Sequence, residues 1–295
     1  MTKFCIHSIL NNTYKNYEII LVIDGNNELK KILDNEFKDI KNMIIIENEI
    51  NLGPSVSRNR GVELAKGDIV AFIDDDAFAS SEWLKNIIKN FSENPEISVV
   101  GGKLLPVYED GSRKLPEELL WIVGGTYKGF PGNRQFVRNV FTGNMAVKRD
   151  IFRDTRFEIM YDKEKGLSHQ LEDTLFCVRV NNIKPNTILY DPDIIVHHHV
   201  TKDKLRVGYI FKRSFSEGIL KAKLKYINNS NSQKGNTNNI LSSEHNYLNI
   251  VLRSIIKTLC ELKIRNSTLM ILTVLGVLSG YVNFLLTERY GRLLA

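Results

Sequence analysis

The sequence predicts an α/β fold: a mixed, mostly parallel sheet flanked by helices, followed by a helical segment that associates with a membrane. Three observations carry this. Short β-branched runs alternate with helix-like segments up to about Asp193. Those runs are continuously apolar rather than alternating, as in strands covered on both faces. An uncharged apolar run, Leu269 to Leu286, stands near the C-terminus.

Taken in order, Glu18–Ile23, Met43–Ile46, Ile69–Ile73 and Ile97–Gly101 read as strands, with helix-like segments at Glu28–Phe37, Val56–Ala65 and Glu82–Phe91 between them. Sheets of this kind bind ligands beyond the carboxyl ends of their strands. Asp24 and the triplet Asp74-Asp75-Asp76 both follow strand ends, so both are placed to face such a crevice. Tyr108–Asp150 is rich in glycine and proline and reads as loops that face a ligand. Asn228–Asn239 (NNSNSQKGNTNN) reads as a polar linker. The expected organisation is a domain over 1–225, a linker over 226–245 and a helical tail over 246–295.

In the tail, Leu248–Leu262 is apolar at helical spacing with Arg253 and Lys257 interspersed, which suits a membrane surface. Leu269–Leu286 reads as one transmembrane helix, with a buried helix of a soluble protein as the disfavoured alternative, because buried runs are usually shorter. Cations stand on both flanks and give no orientation.

The chain has 295 residues, a formal net charge of +6 and a pI near 9.0. Its 43% hydrophobic content is that of a globular protein with a sizeable core. The positive balance favours phosphate-bearing ligands or an acidic membrane over nucleic acid. Cys5, Cys177 and Cys260 are far apart and have no metal-binding spacing. That pattern points to a reduced compartment without disulfides. The opening Met1–Ile6 is too mixed for the apolar core of a signal sequence.

Four constellations carry candidate chemistry. In extended geometry Asp74 and Asp76 point the same way and Asp75 points aside. Paired carboxylates suit Mg²⁺ or Mn²⁺ bridging to substrate phosphates, and a solvated acidic turn capping a helix accounts for the triplet equally well. Asn51–Gly61 reads as a turn and helix start bearing Arg58 and Arg60, and arginine suits bidentate phosphate contact. Glu172-Asp173 opens a helix, where the dipole stabilises carboxylates; the same pair suits a general base and the group that positions it. His197-His198-His199 alternate in direction at a strand end, so one of them is placed to complete a metal site with the aspartates.

In order and spacing these pieces resemble family 2 glycosyltransferases of the GT-A (Rossmann-like) fold, over about the first two-thirds of the chain. The matching stretches are Ser8–Gly25, Asn51-Leu52-Gly53 with Ser57-Arg58-Asn59, Ala65–Asp68 running into Phe72–Asp76, Gly143-Asn144-Met145, Glu172-Asp173 and Pro192–His198. A narrower likeness, carried by Leu119–Pro131 and Tyr209–Gly218, is to archaeal and bacterial enzymes that extend lipid-linked sugars, dolichyl-phosphate glucuronosyltransferases among them.

The resemblance implies a metal-dependent inverting transferase that moves a sugar from a nucleotide-diphosphate donor, a UDP-sugar above all, to a hydroxyl of a lipid-linked or cell-surface glycan. It implies that Asp24, Arg58, Asp74, Asp76, Gly143 and Asn144 bind the nucleotide sugar. It also implies that Asp74, Asp76 and His198 hold Mg²⁺ or Mn²⁺, that Asp173 is the base with Glu172 beside it, and that Trp121 lies on the acceptor side. The enzyme would sit at the cell membrane through its C-terminal segment, catalytic domain on the cytoplasmic side, with no nucleic-acid partner. The sequence departs from the family pattern in three places. The apolar strand that opens the fold is missing, Asn12 stands where glutamine is usual, and Ile23 stands where an aspartate is common. The first departure keeps a catalytically impaired relative as an alternative. An aspartate-nucleophile phosphatase, which also places Asp-x-Asp after a strand, is disfavoured because Ala77-Phe78 follow and Arg58 is left unexplained.

Overall fold

The computed structural model describes residues 1–158, 172–231 and 242–293. The chain forms two compact units: Met1–Leu105 with Pro131–His198, and Pro106–Phe130 with His199–Ala295. This division takes Pro106–Phe130 and 199–225 out of the expected first domain and groups them with the C-terminal helices.

The first unit is mixed α/β. After helix α1 (Thr2–Leu10), strands β1 (Ile19–Asp24) and β2 (Met43–Asn48) pair in parallel, Ile19 opposite Met43 and Asp24 opposite Asn48. Helix α2 (Asn27–Glu36) joins them, its first turn capped by the Asn26 side chain accepting from Leu29 N–H at 3.0 Å. A second sheet has the order β3 (Ile69–Ile73), β7 (Asn144–Lys148), β5 (Val99–Tyr108), β8 (Ile188–Val200), β4 (Ala77–Ala79), with β6 (Gln135–Phe136) on β8. β7 runs antiparallel to both β3 and β5, so β3 and β5 share a direction with an inverted strand between them. β4 and β6 are antiparallel to β8. The sheet is therefore mixed, and β7, the strand inverted between β3 and β5, comes with β6 from the glycine-rich middle that the sequence reads as loops.

Helix α3 (Pro54–Leu64) packs against β1, and α4 (Trp83–Glu93) buries Trp83, Leu84, Ile87 and Phe91. Their spacing puts those four side chains on one helix face. They enter a core with Ile97, Val100, Leu104, Leu189, Ile194 and Val196. Each such side chain contributes roughly 1.5–3 kcal/mol on full burial.

Between β1 and β3 lies a gap of about 1000 Å³, lined by Ile20, Val22, Ile69, Ala71, Ile73 and Tyr17 among others. Among the described residues each of these strands has a single strand neighbour, β2 for β1 and β7 for β3. The opening strand that the resemblance calls for is supplied by no described segment, and the two facing edges are unpaired.

In the second unit a 3-10 helix, Glu117–Val123, packs with the long helices α6 (Val207–Asn231), α7 (Ser242–Cys260) and α8 (Ile264–Leu293). Their core includes Leu119, Ile122, Ile210, Val251, Leu269 and Met270. α6 runs through Asn231 and α7 begins at Ser242, so both ends of the expected 226–245 linker are helical; its middle lies outside the described residues. Among the described residues, Ile264–Thr287 is the one helix long and apolar enough to cross a membrane.

Candidate active site

The chemistry of the first unit gathers where β1, β3, α3, α5 (Glu172–Ile183) and β8 end or begin. Asp24, at the end of β1, accepts from Leu52 N–H at 2.9 Å, Gly53 N–H at 2.7 Å and Asn48 Nδ2 at 2.7 Å. These bonds fold the turn that starts α3. The turn also requires Gly25 and Gly53, at φ +71° and +87°: a Cβ on Gly25 would stand 2.5 Å from Asn51 N. Asp24 thus shapes the turn, and its contact with a nucleotide base stays a proposal.

Arg58 lies one turn into α3. Its Nη1 donates to Glu172 Oε1 and its Nη2 to Asp74 Oδ1 at 3.3 Å. The guanidinium also rests over the Phe157 ring, 5.7 Å from its centroid. Burial alone would lower its pKa, but Glu172 and Asp74 outweigh burial and hold it above the ordinary arginine value. Glu172, only 5% exposed, takes a second bond from Ser55 Oγ at 2.6 Å. Both Glu172 oxygens are therefore occupied. Ser55 was not among the residues singled out from the sequence, yet Ser55 and Arg58 are three apart on one helix and share a face.

Asp173, the next residue of α5, accepts from the backbone N–H of Thr174 at 2.7 Å and is less buried than Glu172. Of the two adjacent carboxylates, Glu172 holds Arg58 and Asp173 is nearer to solvent. His169, which precedes the pair in sequence, lies outside the described residues.

The aspartate triplet lies in the turn between β3 and β4, closed by Ala77 N–H on Asp74 O at 3.1 Å, and its members divide there. Asp75 is exposed and accepts from Thr2 Oγ1 at 3.0 Å. Asp74 and Asp76 approach His198, and one ligand atom from each of the three lies within 4.8 Å of the others. His198 Nε2 is 3.1 Å from Asp76 Oδ1, while its buried Nδ1 has no hydrogen-bond partner among the described residues. His198 is opposite Ala77 in the β4–β8 ladder, and the flanking His197 stacks on Phe78 at 5.1 Å. Two carboxylates and an imidazole suit a divalent cation, and the nitrogen donor favours Mn²⁺ over Mg²⁺. An imidazole that brings one ring nitrogen to two aspartates fits such a site. Beneath Asp74, Cys5 donates its S–H to the Asp74 carbonyl at 3.4 Å; burial pushes its thiol up to about 12, with Asp75, Asp74 and Asp76 adding to the rise.

Gly143 and Asn144 behave differently from each other. A Cβ on Gly143 would stand 2.7 Å from Asp74 Oδ2, so glycine is what lets Asp74 sit there. Asn144 is buried: its Nδ2 donates to Lys103 O at 3.0 Å and Ile194 O at 2.8 Å, and its Oδ1 accepts from Trp83 Nε1 at 2.9 Å. Its side chain ties β5, β8 and α4 together. Trp121 belongs to the second unit, where its Nε1 bonds Tyr247 Oη at 2.7 Å and Arg213 lies over its ring at 5.3 Å.

Comparison with known proteins gives this geometry a family. The model of "Glycosyl transferase family 2" matches residues 1–156, which carry Asp24, Arg58 and the aspartate triplet. The chain belongs to glycosyltransferase family 2. This family 2 chain is 32% identical over 220 residues to a glucosyl-dolichyl phosphate glucuronosyltransferase of Haloferax volcanii, covering 73% of this chain and 70% of that one. It is 22% identical over 224 residues to the putative glycosyltransferase EpsH of Bacillus subtilis, covering 74% of this chain and 62% of that one. Among solved structures it resembles S. aureus TarS 1-349 with a TM-score of 0.51 at 15% identity, covering 98% of this chain and 88% of that one. The same TarS fragment in complex with UDP-GlcNAc gives 0.50 at 16% identity. These likenesses establish the fold of the family 2 chain as GT-A-like.

Proposed function

We propose that this family 2 glycosyltransferase moves a sugar from a UDP-sugar to a hydroxyl of a lipid-linked glycan at the cytoplasmic face of the cell membrane, with inversion at the anomeric carbon. The convergence of Asp74, Asp76 and His198 beside Arg58 and Asp173 carries the reading. The printed name of the Haloferax volcanii relative supports a lipid-phosphate-linked acceptor and glucuronic acid as the first donor sugar to test.

In this reading Asp74, Asp76 and His198 would hold Mn²⁺ or Mg²⁺, and the bound cation would supply positive charge to offset that of the departing diphosphate. Arg58 fixes Asp74 and Glu172 in place and brings positive charge to the diphosphate side. Glu172, neutralised by Arg58 and Ser55, positions the start of α5. Asp173 takes the proton from the acceptor hydroxyl as its oxygen attacks the sugar carbon on the face opposite the leaving diphosphate. The turn held by Asp24 borders the base, and Gly143 leaves room for the sugar against Asp74. Trp121 is kept as an acceptor-side residue.

The unpaired edges of β1 and β3 favour a second reading, in which the site is assembled on a sheet too loosely held for full turnover. One experiment tests both: transfer and hydrolysis of radiolabelled UDP-glucuronic acid, UDP-glucose and UDP-N-acetylglucosamine by the purified chain, with Mn²⁺ and with chelator, against polyprenyl-phosphate-sugar acceptors. Metal-dependent transfer supports the main reading. Donor binding without turnover supports the second, and absence of donor binding in metal overturns both.

A further inference from the structure

The second unit presents apolar surface in a pattern its own core does not explain. On α7 the exposed apolar residues are Leu248, Leu252, Ile256 and Leu259. At 100° per residue they fall within an arc of roughly 80°. On α8 they are Ile264, Ile271, Leu275, Leu278, Val282, Leu285 and Leu286, within an arc of roughly 100° and over a length of roughly 33 Å. The turn between the helices adds Leu262, 81% exposed.

Leu262 is the telling residue. Lys263 N–H bonds Thr258 O at 2.8 Å and Leu262 N–H bonds Leu259 O at 3.0 Å, the paired bonds of a Schellman helix end. The residue at that point has φ +56°, the left-handed region that glycine normally fills. Here a leucine accepts the strained conformation and projects its side chain outward. Arg253 and Lys257 follow on the exposed side of α7, roughly 60° and 100° past the edge of the arc, and Lys263 and Arg265 follow Leu262 in sequence. The acids between Ser242 and Thr287 are Glu244 and Glu261, and Glu261 pairs with Lys257 at 3.8 Å and Lys263 at 2.7 Å. Glu244 is itself paired with Lys221.

The opposite face of α8 decides how a membrane can meet this surface. It is locked onto α6 with almost no space between backbones. A Cβ on Gly280 would stand 1.9 Å from Phe215 O, one on Gly218 1.9 Å from Val277 O, and one on Gly276 2.8 Å from Ser214 Cβ. The middle of the apolar run therefore lies against Phe211–Ile219 of α6. That stretch carries Lys212, Arg213 and Glu217, and Glu217 pairs with Arg213 at 3.0 Å and Lys221 at 3.1 Å. Were α8 to cross a bilayer, these charges would travel to the centre of the hydrocarbon with it. Lying flat, the same unit buries its leucines and leaves α6 on the aqueous side.

We propose that α7, the Leu262 turn and α8 dock in the plane of an anionic lipid surface, and that α8 does not span the membrane. This refines the membrane association proposed above and is independent of donor and acceptor identity. The test is flotation of the full chain with vesicles of phosphatidylcholine alone and of phosphatidylcholine with phosphatidylglycerol in equal parts, followed by alkaline carbonate extraction. The expected result is binding that prefers the anionic vesicles and is released by carbonate. Arg253→Glu with Lys257→Glu should weaken anionic-vesicle binding by about tenfold or more, and Leu275→Glu with Leu278→Glu should weaken binding to both. Leu262→Gly relieves the left-handed leucine, so it should leave thermal stability equal or higher while reducing vesicle binding. Retention through carbonate overturns the in-plane arrangement and leaves membrane association standing. Failure to bind either vesicle overturns both, and dimers by light scattering that Leu275→Glu dissolves would then name a second copy as the occupant.

Discussion

Arg58 holds Glu172 through Nη1 while Ser55 closes the other oxygen of that carboxylate. This leaves the neighbouring Asp173 as the carboxylate of the pair nearer to solvent. Asp173→Asn should lower transfer by about 10²–10⁴-fold while UDP-sugar binding, read by thermal shift, persists. Glu172→Gln should act first on stability, because it leaves the buried guanidinium with Asp74 alone as its hydrogen-bonded carboxylate partner among the described residues; the loss should stay below the roughly 3–5 kcal/mol of a fully broken buried pair. If Asp173→Asn transfers at the parent rate, the assignment of the base is wrong.

The Asp74, Asp76 and His198 cluster makes metal binding separable from folding. His198→Ala should weaken Mn²⁺ binding in the presence of UDP by about tenfold or more, measured by calorimetry, with little change in the thermal midpoint. Gly143→Ala should reproduce part of this loss, since the added methyl would meet Asp74 Oδ2 at 2.7 Å. Unchanged Mn²⁺ affinity in both variants would remove the metal site.

The cysteines give a simple check on the packing. Burial pushes the thiols of Cys5 and Cys177 up to about 12, whereas Cys260 is exposed on α7. Native protein treated with a thiol reagent at neutral pH should label rapidly at Cys260 alone, and the denatured chain at all three. Rapid labelling of Cys5 in native protein would show that α1 does not stay on the end of β3.

Glu217 links stability of the helical unit to pH. Burial alone would raise its pKa, but Lys221 and Arg213 overcome this and hold the carboxylate below its usual range. A carboxyl depressed in the folded state contributes stability above its unfolded value of about 4.3 and loses it as pH falls through the lower folded value. Unfolding followed by circular dichroism should show stability declining below about pH 4, with a shallower decline in Glu217→Gln. An equal slope in the two proteins would disconnect this residue from the acid transition.

Much of the fold and part of the site were legible in the sequence. β1, β2, β3 and α2 to α4 announced themselves because continuous β-branched runs and one-faced helices are local patterns. The split of Asp74 and Asp76 from Asp75 was expected from their i, i+2 spacing, and the alternation of the three histidines left open which of them faces the aspartates; the family resemblance pointed to His198. Other features depend on partners far away in sequence. Asn144 looks like a ligand-facing polar residue after a glycine, yet it spends its amide on Lys103, Ile194 and Trp83. Phe157 reaches Arg58 across 99 positions of chain, which no local signal encodes. β6 and β7 hid in a glycine-rich stretch because they are short and their partners lie far away in sequence.

The gap between β1 and β3 has a consequence on the timescale of amide exchange. Strands paired on both sides open only with the sheet, whereas an edge amide exchanges through small local fluctuations. Amides of Ile20–Ile23 and Val70–Ile73 that point into the gap should trade their hydrogens for deuterium within the earliest time points, far ahead of those of Met145–Val147 between β3 and β5. A segment that takes up residence in the gap would then report itself as a block of newly slow amides on two strands about fifty residues apart in sequence.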